Sequence, residues 1–226
     1  MGLKKDMSRN MNKLLLTTSC LALLSVSIAH AGSTKPPAAL KSNVAEQSNI
    51  VLISESIEQE SKAFIENLTS EGIGFLSNAG LSQDQKKSEF KKLLHKNFDM
   101  RTLGRFSLGR YWNVATKSEQ SEYQKLFEDM IVDVYARRFG DYSGQELVVN
   151  SARADGKSDA IVSSHIKHNG QKISVDWRVR KKNGSMNVID VIVEGVSMAT
   201  TQRSEFSSII QRGGGQVDAL LVHLKS

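Results

Sequence analysis

Two Asn-Gly pairs set in an alternating pattern constrain the fold of this chain more than any other feature. Apolar and polar residues alternate in four segments, ELVVNSAR, DAIVSSHIK, KISVDWRVRK and MNVIDVIVEG, which are separated by DGKS, HNGQ and KNGS. Asn169-Gly170 and Asn183-Gly184 favour tight hairpin turns, because both central positions of such a turn need positive φ. The sequence therefore predicts an antiparallel β-meander of four to five strands in the C-terminal part.

The third segment indicates that this sheet has one dry and one wet face. Ile173, Val175, Trp177 and Val179 alternate with lysine, serine, aspartate and arginine residues. Alternation of this kind is typical of an antiparallel sheet that packs against the core on one side and meets water on the other.

The residues before the meander have a helical period. Apolar side chains recur every three or four residues from Val44 to Leu76, and a short helix follows from about Ser82. The segment FDMRTLGRFSLGRYW, residues 98–112, is expected to form a short buried helix. A capping box, TKSE from Thr116, then begins a helix whose apolar stripe runs on to Phe139. With a helical return at the C terminus, the fold class is α+β, with N-terminal helices packed on the meander.

The N terminus is typical of a cleavable export signal. Within residues 1–31, four basic residues precede an apolar run, and Ala29 and Ala31 stand at the small-residue positions of a cleavage site. Residues 32–43 hold both prolines and are predicted to be a flexible leader. Residues 44–226 are expected to form a single domain.

Cleavage also changes the chemistry that the chain can perform. The only cysteine, Cys20, lies in the apolar run, so the exported protein would have neither a disulfide nor a thiol nucleophile. A product lipidated at Cys20 is the alternative. Losing four basic residues and one acidic residue lowers the formal net charge from +6 to +3. Export and this modest charge disfavour nucleic acid and fit acidic partners or anionic lipid headgroups.

Ser197 is the residue that most resembles a catalytic group. Gly195-Val-Ser197-Met-Ala199 is close to the G-x-S-x-G nucleophile elbow. A nucleophile elbow needs a parallel sheet, with the acid and the histidine of its triad on separate loops. Here the only aspartate and histidine that follow Ser197 are Asp218 and His223, which lie on one predicted helix. We therefore expect Gly195 to relax the backbone and a residue near Ser197 or Thr200 to cap the next helix. An exported serine hydrolase that uses Ser197 remains the alternative.

Other polar groups have weaker chemical interpretations. His165 and His168 would point to opposite faces of a strand, so a zinc site is not expected. The glycines after Arg212 fit a helix exit better than a phosphate loop. Asp176 is expected in water, and Asp190 is expected to be partly buried and paired. No catalytic or metal-binding residue is predicted, and the chain is not expected to be an enzyme.

Three phrases occur in an informative order: FDMRTLGRFSLGRYW, TKSEQSEYQKLFEDMIVDVYARRF and NVIDVIVEGVSMATTQRSEFSSII. In this order they resemble the MlaC/Ttg2D (toluene-tolerance) family of periplasmic phospholipid-binding proteins. The resemblance extends from about Ile57 to the C terminus. The chain departs from the family at Met186-Asn-Val188, where a tryptophan is common, and at Ala199-Thr-Thr201, where an aromatic residue is common.

The resemblance implies a hydrophobic cavity between helices and sheet that holds the acyl tails of a phospholipid cargo, with no cofactor. It implies a periplasmic, monomeric carrier that shuttles lipid between outer and inner membranes and maintains outer-membrane lipid asymmetry. The implied partners are an inner-membrane MCE-domain/ABC transporter complex and an outer-membrane lipoprotein complex. From the alternation and the helical stripe, we expect eleven side chains to form the cavity walls: Phe106, Leu108, Phe127, Ile131, Tyr135, Val175, Trp177, Val179, Val191, Val193 and Phe206.

Two alternatives to a phospholipid carrier stay open besides the hydrolase. A periplasmic adaptor or chaperone-like module would have a filled core and an exposed apolar patch in place of a cavity. A carrier of hopanoid or other polyisoprenoid lipid would share the architecture of a phospholipid carrier, and the sequence does not distinguish the two.

Overall fold

The structure is a computed structural model that describes residues 44–168 and 170–226, with side chains described from residue 56 onward except that of His168. The predicted signal, residues 1–31, and the predicted leader, residues 32–43, lie outside the described residues. The chain divides into residues 1–52 and 53–226. The packing described below belongs to the second of these units.

Helices precede and follow the sheet along the chain, as predicted. Their bounds are α1 Val44–Ser77, α2 Gln83–Asn97, α3 Met100–Leu108, α4 Lys117–Ala136, α5 Met198–Arg212 and α6 Val217–Lys225, with 3₁₀ turns at Gly109–Asn113 and Phe139–Asp141. Within the described part of the chain, no helix combines the length and the apolar character needed to cross a bilayer.

Two of these helices begin with reciprocal capping boxes. At the start of α4, Glu119 N–H donates to the Thr116 hydroxyl at 3.2 Å, and Thr116 N–H donates to the Glu119 carboxylate at 2.7 Å. The same exchange between Ser82 and Gln85 begins α2. Each box satisfies backbone donors that a helix start leaves free, which is why both starts could be predicted from the sequence.

The sheet is the predicted meander with a short fifth strand. Its strands are β1 Glu146–Ala154, β2 Asp159–His168, β3 Gln171–Lys182, β4 Ser185–Val193 and β5 Val196–Ser197, and each pairs antiparallel with the next. The turn between β3 and β4 has φ 51° at Asn183 and φ 79° at Gly184. Positive φ at both positions confirms the predicted hairpin turn.

The strand register defines an inner, apolar face. Val162, Trp177 and Val191 form one row across β2, β3 and β4, and Val179 and Val188 belong to the next row. A bulge between Arg178 and Val179 shifts the register so that β4 keeps its apolar residues on this face. We call this side of the sheet the inner face.

A short segment joins the helices to the free edge of β4. Phe98 forms a parallel bridge with Val188, and Asp99 N–H donates to the Val188 carbonyl at 3.0 Å. Strand β5 pairs only with Ile192 and Val193, so the bridge covers a part of β4 that β5 leaves open. Covering an edge in this way satisfies its backbone groups and prevents pairing with another chain.

Buried apolar residues of the described chain form two separate clusters. The helical cluster is made by α3, α4, α5, α6 and the first 3₁₀ turn: Leu108, Tyr111, Ala115, Tyr123, Phe127, Phe206, Ile210, Val217, Leu220 and Leu221. The helix–sheet cluster is made by α1, α2, the second 3₁₀ turn and the sheet: Ile65, Leu68, Phe75, Leu93, Phe139, Val162, Val179 and Val188.

Helix α4 contributes to both clusters. Tyr123 and Phe127 near its start belong to the helical cluster, whereas Phe139, just past its end, belongs to the helix–sheet cluster. The sequence predicted one continuous stripe from Tyr123 to Phe139. The structure divides that stripe, because α4 ends at Ala136 and the 3₁₀ turn that follows directs Phe139 toward α1 and the sheet.

The connection from β4 to α5 is held by one carboxylate. Asp190 accepts hydrogen bonds from the Ser197 hydroxyl at 2.6 Å, from Ala199 N–H at 3.1 Å and from Val191 N–H at 2.9 Å. Glu194, with φ 49°, and Gly195, with φ 78°, make the tight turn between β4 and β5. Asp190 is therefore half-buried and paired, as predicted from its apolar neighbours in the sequence.

Replacing Asp190 by alanine should cost about 1–3 kcal/mol of unfolding free energy, because buried N–H donors and the Ser197 hydroxyl would lose their acceptor. Asp176→Ala, a half-buried carboxylate on the opposite face to the core, is the matched control and should change stability by about 0.5 kcal/mol or less. Urea denaturation measures both. Equal losses in the two variants would contradict the role given to Asp190.

Glu205 on α5 is the carboxylate that burial disfavours most clearly. Burial raises its pKa, against the opposing effects of the Gln202 side chain and the charge of Arg212. The Gln202 amide donates to its carboxylate at 3.2 Å. A carboxyl whose folded pKa lies above its unfolded value weakens the fold at neutral pH, and the fold recovers as pH falls through that raised pKa.

Glu205→Gln should therefore raise the urea midpoint at pH 7, and its advantage over the wild type should disappear at about pH 4 and below. Glu71→Gln, an exposed carboxylate paired with Lys96, is the control and should have little effect at either pH. A Glu205→Gln protein that is less stable than wild type at pH 7 would show that the charge is stabilised by its surroundings.

Candidate functional site

The eleven residues predicted to line a cavity fall into three structural groups. Five are buried core residues: Leu108, Phe127, Val175, Val179 and Phe206. Five remain accessible although they lie on the inner face or on α4: Ile131, Tyr135, Trp177, Val191 and Val193. We call this second group the seam residues. Phe106 lies apart from both groups.

Trp177 is the most informative of the seam residues. It lies on β3, in the middle of the inner face, and its row neighbour Val162 on β2 is fully buried. Val175 and Val179, two residues away on the same face of β3, are also buried. Trp177 and its partner Val191 are nevertheless only half-buried. The centre of the inner face is therefore less well covered than the residues around it.

The polar atoms on this part of the sheet are satisfied within it. The Trp177 indole N–H donates to the Ser164 hydroxyl at 3.0 Å, and that hydroxyl donates to the Val175 carbonyl at 2.7 Å. Ser164 is buried on the inner face, where an unpaired hydroxyl would be costly. Because these groups bond to each other, the surface beside Trp177 is chemically apolar and needs no polar ligand.

Helix α4 supplies the seam residues on the helical side. Ile131 is half-buried and packs against the helical cluster, as do Leu126 and the adjacent Met130. These residues stand between the part of α4 in the helical cluster and the part near the helix–sheet cluster. Val132, the next residue, is only 2% accessible, so the accessible apolar surface here belongs to the face of α4 that carries Ile131.

Tyr135 combines an accessible side chain with a desolvated phenol. Its side chain is 39% accessible, yet burial raises the pKa of its phenol, with the charge of Arg138 opposing that effect. Protein atoms therefore surround the phenol although part of the side chain remains accessible.

An aromatic chain lies beside Tyr135. The rings of Phe90 and Tyr135 have centroids 6.0 Å apart, Phe90 and Phe139 5.3 Å, and Phe75 and Phe139 6.1 Å. Phe90 lies on α2 and Tyr135 on α4. The aromatic residues of both helices can be read from the sequence, but the sequence does not show which two helices meet.

Phe106 lies in a different place. It is 42% accessible, and the Arg203 guanidinium lies over its ring at 5.2 Å. Together they line an open groove of about 500 Å³ between α3 and α5, with Thr200, Ser204, Ser207, Ser208 and Gln211. This groove is polar, unlike the surface beside Trp177.

Ser197 is the N-cap of α5, as predicted for a residue near this position. Its hydroxyl donates to Asp190 at 2.6 Å and accepts from Thr200 N–H at 3.0 Å. A nucleophilic serine donates its proton to a general base, usually a histidine. Here the hydroxyl is engaged in the turn that starts the helix, so the geometry supports the capping interpretation.

Metal coordination has no candidate group in the described residues, since no three His, Cys, Asp or Glu side chains gather there. Asp176 and Arg178 lie on the wet face of β3, and Arg178 is paired with Asp155 at 2.6 Å. Asp190, which faces Arg178 across the β3–β4 pair, serves the α5 cap instead. Asp155 and Asp190 therefore have structural partners, whereas the Arg178 Nε atom has no hydrogen-bond partner among the described residues.

Curated proteins that are similar to this chain include two with informative names. One is the toluene tolerance protein Ttg2D of Pseudomonas putida, 26% identical over 110 residues, which are 48% of this chain and 51% of that protein. The other is the MlaC binding protein of an intermembrane phospholipid transport system of Haemophilus influenzae, 25% identical over 123 residues, or 52% and 56% of the two chains. The chain thus spans about half the length of the curated relatives that it matches.

A solved structure has the same fold. It is a phospholipid-binding protein from Ralstonia solanacearum in complex with a phospholipid, with a TM-score of 0.64 and 21% sequence identity. The likeness covers 73% of this chain and 94% of the other. It shows that the α+β arrangement of helices and five-stranded meander is a known fold.

The family comparison covers more of the chain than the two curated relatives do. The model of the family described as MlaC protein matches residues 66–226, which include α2 to α6, the whole sheet and the C-terminal third of α1. This chain belongs to the MlaC family.

Proposed function

We propose that the protein is a periplasmic phospholipid carrier. Acyl tails would lie along the seam residues between the helices and the inner face, and the headgroup would stay in water. The carrier would shuttle lipid between the outer and inner membranes and so maintain outer-membrane lipid asymmetry. The cargo takes the place of a cofactor, and no covalent step is involved.

The observation that carries the proposal is the incomplete cover of Trp177 and Val191. A stable fold buries the centre of a sheet's apolar face before its margins, because that surface is the easiest to shield from water. Here the neighbours Val162 and Val179 are fully buried while the central pair stays accessible. A ligand with hydrocarbon chains would complete the cover that the polypeptide leaves open.

Transfer energetics explain why such a site suffices. Each methylene group that leaves water for an apolar site gains about 0.8 kcal/mol, so a two-tailed lipid cannot cross an aqueous gap unaided at a useful rate. The affinity of a carrier for acyl tails must be close to that of the bilayer. A site with much higher affinity would not release its cargo. A recess with accessible apolar walls and satisfied polar atoms, like the pair Trp177 and Ser164, meets this need.

The eleven predicted wall residues take different roles in this proposal. The seam residues Ile131, Tyr135, Trp177, Val191 and Val193 would contact the tails. The buried residues Leu108, Phe127, Val175, Val179 and Phe206 would support those walls from behind. Phe106 would not contact the tails, because it faces the polar groove with Arg203.

The remaining parts of the proposal follow from family membership. Residues 1–31 would direct export and be removed, and the carrier would act as a monomer. Its partners would be an inner-membrane MCE-domain/ABC transporter complex and an outer-membrane lipoprotein complex. Direction of transport would come from those partners, since a passive recess releases and accepts lipid with equal ease.

Native mass spectrometry of the exported protein, followed by solvent extraction, tests the carrier proposal. We expect protein with one phospholipid bound and the same lipid in the extract. A hopanoid in the extract would keep the carrier and replace its cargo. Lipid-free protein that also takes up no fluorescent phospholipid would contradict the proposal and favour an adaptor.

Ile131→Gln and Val191→Gln should each weaken phospholipid binding about tenfold, because an unpaired amide in an apolar site costs roughly 1–3 kcal/mol. Displacement of a fluorescent phospholipid measures the affinity. The seam residues suit this test better than Val175, which is only 4% accessible and whose substitution would damage the fold.

Val222→Gln is the matched control, since Val222 is 58% accessible on α6. It should bind lipid as the wild type does. Thermal unfolding of all three variants separates lost binding from lost folding. Unchanged affinity in both seam variants would place the tails elsewhere.

A further inference from the structure

The surface formed by α3 and the following turn is basic and lacks carboxylates. Residues 100–116, MRTLGRFSLGRYWNVAT, contain three arginines and neither aspartate nor glutamate. Arg101, Arg105 and Arg110 are all exposed. Phe106 and Val114, 42% and 72% accessible, lie among them. Exposed arginines interleaved with exposed apolar side chains are typical of surfaces that meet a membrane interface.

Arg203 of α5 extends this surface into the groove. Its guanidinium lies over the Phe106 ring and passes close to Gly109, where a Cβ would stand 2.8 Å from the Arg203 Nε atom. Gly109 also has φ 60°, a conformation that favours glycine. The backbone at Gly109 therefore leaves room for Arg203 to lie at the floor of the groove.

Side chains that can donate hydrogen bonds line the same groove as that guanidinium. Thr200, Ser204, Ser207 and Ser208 contribute hydroxyls, and Gln211 contributes an amide. The groove lining includes no carboxylate. A phosphate group, with several acceptor oxygens, matches a guanidinium surrounded by hydroxyl donors.

The arginines of this surface differ from Arg178 and Arg180 on β3. Arg178 and Arg180 each pair with an aspartate at 2.6 Å. Among the described residues, Arg101, Arg105, Arg110 and Arg203 have no carboxylate within 4.0 Å, and Arg110 donates to the Tyr111 hydroxyl at 2.9 Å instead. Their charges are available to an outside partner.

We propose that this basic face, formed by Arg101, Arg105, Phe106, Arg110 and Arg203, docks on an anionic lipid surface, with a phosphate headgroup in the groove. The exposed Phe106 favours a lipid interface over an acidic protein, because its ring can enter the headgroup region beside the guanidinium. The inference rests on the proposed carrier function only for the reason why the protein should approach a membrane.

Co-sedimentation of the purified chain with vesicles tests the proposal. Vesicles of phosphatidylcholine with one quarter phosphatidylglycerol should bind the protein, vesicles of phosphatidylcholine alone should bind it much less, and added salt should weaken binding. Arg203→Gln and Arg105→Gln should each lower partition about fivefold, the factor for about 1 kcal/mol per arginine near an anionic surface. Together they should lower it about 25-fold.

Lys172→Gln is the control for net charge, since Lys172 is exposed on β3 outside the basic face. It should lower partition far less than either arginine variant. Thermal unfolding of each variant checks the fold. Equal losses in Lys172→Gln and Arg203→Gln would overturn the proposal in favour of diffuse attraction.

The source of the anion is tested separately by titrating inorganic phosphate. Phosphate that shifts the amide signals of residues 203–211, in a protein that binds no anionic vesicle, would mean a small-anion site and would overturn membrane docking. Bound phospholipid in Arg203→Gln should equal that of the wild type. Failure to bind vesicles would therefore leave the carrier function standing, and absence of bound lipid would remove that function whatever the vesicles show.

Discussion

The division of the apolar core into two clusters is the constraint on which the rest of the structure depends. A single merged core would cover the inner face completely, and Trp177 would then be as buried as Val162. Instead, α3, α5 and α6 gather around the start of α4, while α1 and α2 pack on the sheet near its end. Ile131 on α4 and Trp177 and Val191 on the sheet remain partly accessible. The apolar surface left there is the reason to infer a hydrocarbon cargo.

The polar groups near this apolar surface form hydrogen bonds within the protein. Ser197, the residue most suggestive of catalysis in the sequence, caps α5 and donates to Asp190, whose carboxylate accepts three hydrogen bonds. Ser164 and Trp177 satisfy each other on the inner face. Charged side chains lie elsewhere. Arg178 and Arg180 pair with aspartates on the wet face of the sheet. Arg101, Arg105 and Arg203, on α3 and α5, have no carboxylate partner among the described residues. One surface is thus suited to tails and another to phosphate.

The parts of the fold that could be predicted are those with local causes. Capping boxes at Ser82 and Thr116, the Asn183-Gly184 turn and the period-two strands depend on residues near one another in sequence. Which apolar residues share a cluster depends on contacts between distant elements. The sequence therefore did not show that Phe106 lies beside Arg203, apart from Phe127 and Phe206, and the apolar stripe of α4 was predicted as a single surface. No local sequence signal indicates that the chain leaves the helix after Ala136 and so divides the apolar stripe between the two clusters.

Fluorescence quenching tests the location of the acyl tails most directly, because the chain has two tryptophans, Trp112 and Trp177. A phospholipid with a nitroxide on one tail should quench Trp177 in a Trp112→Phe protein. It should leave Trp112 nearly unquenched in a Trp177→Phe protein, since Trp112 packs against the helical cluster with Arg105 near its ring. Bound lipid that quenches Trp112 and leaves Trp177 bright would contradict the account.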